Sequence, residues 1–63
     1  MTLPTAEAVA RAFCRRRGMN LDGSDLDGRD AAELWYWEIE AEEQLTRRRE
    51  QAEWDAAIDE ARG

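Results

Sequence analysis

Cys14 is the only thiol in the chain, and the chain contains no histidine. A nucleophilic cysteine needs a base or a strongly cationic setting to hold it as thiolate. No imidazole can take the proton, although Arg11, Arg15, Arg16 and Arg17 lie near it in sequence and would lower its pKa. Its place beside Phe13 points instead to a small, semi-buried apolar residue. A lone cysteine excludes an internal disulfide, and the lack of histidine excludes a zinc site of the Cys/His type.

The carboxylates are the next candidates for chemistry. Asp25-Leu26-Asp27-Gly28 has the spacing of positions 3, 5 and 6 of a calcium-binding helix–loop–helix. That register puts Gly23 where the first ligand belongs and Leu34 where a bidentate Glu belongs, so specific calcium binding is not expected. Asp27 is better read as a helix N-cap. Glu38 and Glu42 share a helix face at i, i+4, but paired carboxylates without histidine are normally solvated. With no glycine-rich phosphate loop and no ligand cluster in the sequence, neither enzyme activity nor a cofactor is expected.

What remains is aromatic. The chain has five aromatic residues, and Trp35, Tyr36 and Trp37 are consecutive. Successive helical residues point about 100° apart, so the three cannot share one core. At least one of them must face something else.

The elements that position these residues follow from periodicity and punctuation. Thr5 can cap a first helix reaching Arg17, with Ala6, Val9, Ala10 and Phe13 at the spacing of one apolar stripe. Glu7 at its start and Arg15, Arg16 and Arg17 at its end complement the helix dipole, and Gly18 stops it. Residues 18–28 are a connector rich in turn chemistry, whose Met19, Leu21 and Leu26 are expected to fold back onto the helices. From Gly28 to Arg62 there is no proline and no further glycine, and strong helix formers dominate.

On a helical wheel, Leu34, Trp37, Ala41, Leu45 and Ala52 fall within about 80°, a packing stripe for the first helix. Trp35 and Ile39 form a second stripe about 120° away, and Tyr36 lies on a third side with Glu40 and Glu43. Trp54, Ala57, Ile58 and Ala61 form a stripe almost opposite the first, at about 190°. Two geometries reconcile them. A kink near 47–51 can fold a third helix back onto the bundle, or one straight helix of ~52 Å can present Trp54 and Ile58 outward. The polar run 46–51 holds no helix breaker, which favours the straight helix.

The expected fold is therefore all-α, a single small domain over 1–63. It is a helical hairpin in which a short helix (about 5–17) packs on a long one (about 28–62), with a kink near 47–51 as the alternative. Val9, Phe13, Leu34, Trp37, Ala41 and Leu45 form the expected core. One short helix covers one stripe, which leaves Trp35, Tyr36, Ile39, Trp54 and Ile58 as candidate partner contacts. Cover of Trp35 and Ile39 by the connector is the competing reading.

Charge adds a second candidate surface. The net charge is −6, and residues 22–43 concentrate nine acids against Arg29 alone. Asp30, Glu33, Glu38, Glu40, Glu42 and Glu43 are the members that the long helix would present as an acidic face. The plain reading is a solvated surface whose charge blocks attract one another weakly across the hairpin; the sharper one is a surface for a basic partner. An arginine cluster bounded by acids is a poor nucleic-acid footprint, so direct nucleic-acid binding is not expected.

No apolar run is long enough to span a membrane, and the N-terminus lacks the pattern of a secretory signal, so a cytoplasmic protein with no membrane partner is expected. All nine basic residues are arginine, which suggests a GC-rich bacterium or its phage.

Residues 27–57, with Glu33, Leu34 and Trp37 followed by a charged Ala/Glu/Arg segment, resemble the small tail assembly chaperone-type proteins of tailed phages. That resemblance covers about half the chain and implies transient, non-catalytic binding to phage structural proteins. The acidic block with aromatics inside it also suits a small inhibitor of a basic nucleic-acid-binding protein, as anti-CRISPR proteins that mimic DNA charge do. A homodimer joined through Trp54 and Ile58 is the third possibility.

Overall fold

The computed structural model describes residues 4–21, 25–47 and 52–63. Three helices follow in order: α1 (Ala6–Arg16), α2 (Gly28–Arg47) and α3 (Ala52–Arg62). The described chain is all-α, and α1 packs on α2 as the hairpin reading requires.

Both ends of α1 are set by local chemistry. Thr5 is extended at the N-cap, and its hydroxyl accepts from the Ala8 N–H at 3.1 Å. At the other end Gly18 takes φ +78°, the left-handed conformation that L side chains avoid. This turn lets the Gly18 N–H donate to the Arg15 carbonyl and the Met19 N–H to the Cys14 carbonyl, closing a Schellman cap. Asp27 caps α2 as expected, its Oδ1 accepting from the Asp30 N–H at 2.8 Å.

Of the two geometries that the opposed stripes allow, the folded-back third helix holds and the straight helix over 28–62, which the lack of a breaker favoured, does not. The segments on either side of residues 48–51 are separate helices, and α3 is folded back onto α1. The molecule measures 31 × 21 × 20 Å, far shorter than the ~52 Å of an unbroken helix. The physical reason lies in the opposed stripes: Trp54 cannot reach the α1 side unless the chain direction changes after α2. Of the kink expected near 47–51 only Arg47 lies among the described residues, and Gly23, read above as standing where a calcium ligand belongs, lies outside them.

Two helices covering α1 bury more of it than one stripe. Ala12 and Cys14 join Val9, Ala10 and Phe13 in the core, an arc of about 200°. The alanines let the neighbours approach closely. Leu21 is buried, and Met19 and Leu26 pack against the core as the connector reading expects. Arg11 ties this loop to α1 by donating from Nη1 to the Leu21 carbonyl at 3.3 Å.

Candidate interaction surface on α2

Two aromatic groupings diverge from α2. The inner one is built on Phe13, whose ring stacks on Trp54 with centroids 3.9 Å apart and planes within 10°. Trp37 joins from α2, tilted against Phe13 at 5.0 Å and against Trp54 at 6.2 Å. Such pairs contribute about 0.5–1.5 kcal/mol each beyond the area they bury. Arg17 covers the open end, its guanidinium 5.2 Å from the Phe13 centroid and 5.9 Å from that of Trp37. Its Nη1 donates to Glu53 Oε2 at 3.0 Å, so one side chain at the end of α1 touches both α2 and α3.

Trp54 and Ile58, expected as outward contacts, are instead drawn towards the core. Trp54 is only 5% exposed and Ile58 is packed against the core, because α3 turns its apolar face onto α1. The core also contains a polar residue that sequence reasoning missed. Gln44 is buried with its Oε1 unpartnered, and the Trp37 Nε1–H is buried without an acceptor. Gln44 lies three residues after Ala41 and seven after Trp37, on the packing stripe, so its spacing was the available signal.

The outer grouping is Trp35, Tyr36 and Ile39, exposed by 64%, 53% and 43%. The connector does not cover it; Met19, Leu21 and Leu26 go to the core instead. Tyr36 is braced from below, its ring edge-on to Trp37 at 5.0 Å and 79°. Past Ile39 the surface dips into a shallow depression lined by Ile39, Glu42, Glu43, Thr46 and Arg47.

The expected acidic face divides by exposure. Glu33, Glu42 and Glu43 are exposed, whereas Asp30, Glu38 and Glu40 are half-buried. Arg47 sits 4.0 Å from Glu43. Among the described residues, the other five carboxylates of this face have no ion pair.

Cys14 is fully buried, and burial together with the nearby Glu33 charge raises its pKa against the opposing pull of Arg17. The thiol is a core residue. Among the described residues no group of three or more carboxylate or thiol side chains could hold a metal ion, and no helix is long and apolar enough to cross a membrane. No family model, curated protein or solved structure matches this chain.

Proposed function

We propose that this protein is a non-catalytic helical interaction module that binds a protein partner through the outer face of α2. One observation carries the reading: Trp35, Tyr36 and Ile39 are large, contiguous and exposed, on a helix whose opposite side already holds the fold. Tryptophan and tyrosine are the side chains most enriched at binding hot spots, where their area is buried at low entropic cost. The resemblance of residues 27–57 to tail assembly chaperone-type proteins supports a phage-encoded accessory role, with transient binding to a structural protein in the cytoplasm of a bacterial host.

The exposed Glu42 and Glu43 beside Ile39 favour a second reading. In it, the acidic face blocks a basic nucleic-acid-binding protein in the manner of an anti-CRISPR charge mimic. The two readings separate on which side chains carry the affinity.

A photo-crosslinking residue placed at Trp35 should capture the partner in host cells, whereas one at Asp59 on α3 should not. With the captured partner purified, Trp35→Ala with Ile39→Ala should weaken binding at least tenfold on the first reading. Reversing Glu40, Glu42 and Glu43 to Arg should abolish it on the second, with a steep loss of affinity in salt. Equal capture from positions 35 and 59 would overturn the surface assignment.

A further inference from the structure

The outer face of α2 has a charge layout as well as an apolar one. Placed at about 100° per residue, Trp35, Ile39 and Tyr36 span an apolar band roughly 100° wide. Glu38 and Glu42 lie along one edge of that band, and Glu33 and Glu40 along the other. Glu43 lies within the band's arc one turn beyond Ile39, and the depression there carries the carboxylates of both Glu42 and Glu43. The cations of α2 are Arg29 and Arg47, at its two ends, and Arg47 is spent on Glu43. An apolar centre with acids on both edges is thus the pattern of this face.

We infer that the occupant of this face is a basic amphipathic helix, with an apolar stripe on Trp35 and Ile39 and Lys or Arg side chains along both of its edges. The inference rests on the reading of α2 as an interaction surface and adds the chemistry of the partner. Charge complementarity selects the occupant. A helix laid along the band brings its flanking cations to the carboxylates of both edges while its apolar stripe covers the indole and the isoleucine.

A second copy of the chain fits poorly. Crossing two α2 faces antiparallel about their centres brings Glu33 of one towards Glu40 of the other along their shared edge, and like charges facing across an interface are costly. An acidic or neutral helix would leave the carboxylates either repelled or desolvated without partners. Tyr36 is positioned beside this band before any partner arrives, since its ring is already edge-on to Trp37.

The test uses the full chain and three synthetic helical peptides of about five turns. One carries leucine on one face and lysine on the other, the second replaces every lysine with glutamate, and the third scrambles the first so that no face forms. Binding is read by calorimetry at low and at high salt, and the chain's oligomeric state by sedimentation equilibrium.

The expected result is binding of the first peptide alone, weakened about tenfold or more by Trp35→Ala with Ile39→Ala and by Glu42→Arg with Glu43→Arg. Salt should weaken it, and Asp59→Arg on α3 should leave it unchanged. Equal binding of the scrambled peptide would mean mere attraction between opposite net charges and would overturn the inference. Equal binding of the glutamate peptide through Trp35 and Ile39 would also overturn it, while leaving the face as an interaction surface. A failure of the lysine peptide to bind, or a dimer that Trp35→Ala abolishes, would overturn it as well.

Discussion

Trp54 and Trp35 are the same side chain on neighbouring helices, and they meet opposite fates. Trp54 is 5% exposed and stacked on Phe13; Trp35 is 64% exposed. Helix length explains the contrast. An 11-residue helix such as α3 is marginal alone in water, so it persists only where its apolar face is docked. The 20-residue α2 is already anchored by Leu34, Trp37, Ala41 and Leu45, which leaves its other side available. What a tryptophan does here depends on whether its face is needed to hold its own helix.

Substitutions can break this comparison. The largest effect is expected at Trp54→Ala, which removes the stacking partner of Phe13 and most of the hold on α3. The cost should be about 3–5 kcal/mol, a large share of the stability available to so short a chain. Circular dichroism should show lower helicity as well as an earlier melt. A Trp54→Ala chain with unchanged helicity and melting would mean that α3 is not docked as described.

Alkaline pH probes the same core through Cys14. Burial holds its folded pKa above the ordinary thiol value, so well below that value the thiol is neutral whether the chain is folded or not. As pH climbs past it the unfolded chain ionises first, and stability falls by at most about 1.4 kcal/mol per pH unit. Denaturant midpoints measured between neutral and alkaline pH should fall for the native chain, and Cys14→Ala should flatten that decline.

A smaller effect of opposite sign is expected at Gln44. Its unpartnered Oε1 is a cost, and Gln44→Met should raise stability by about 1 kcal/mol while keeping the volume. An unchanged or lowered denaturation midpoint would show that the amide is satisfied in solution. Arg17→Met should lose about 1 kcal/mol or less, because the Arg17–Glu53 pair is half open to water and salt screens it. Added salt should shrink that difference.

The smallest change in stability is expected at Trp35→Ala, within about 0.5 kcal/mol of the native chain. That near-neutrality sharpens the contrast with Trp54. A large loss at Trp35 would assign it to the fold and remove the main support for the α2 surface. Acrylamide quenching offers a check, since most of the accessible tryptophan emission should vanish with Trp35.

Several features of the fold were legible in the residues. Thr5, Gly18 and Asp27 mark helix ends because capping is local chemistry, decided within a few residues of the chain. The stripe of Leu34, Trp37, Ala41 and Leu45 was legible because a helix has a fixed period. So was the surplus of the triplet Trp35, Tyr36 and Trp37, since three consecutive residues span about 200° of a helix, more than one packed neighbour covers.

The placement of α3 was not legible in the same way. No breaker stands between Arg47 and Ala52, so local propensity alone allows the straight helix; the gain from bringing Trp54 onto Phe13 is a contact between residues far apart in sequence. The burial of Gln44 is of the same kind, because a polar side chain enters a core only when its neighbours on the stripe are drawn in.

The amino-acid sequence by itself determined that the chain is helical, where α1 begins and ends, where α2 begins, and that one packed neighbour could not cover all three consecutive aromatics. Only the tertiary structure decided which aromatics those are. Phe13 can stack on one partner, and the return of α3 gives that place to Trp54 while Trp35, Tyr36 and Ile39 stay on the outer side of α2.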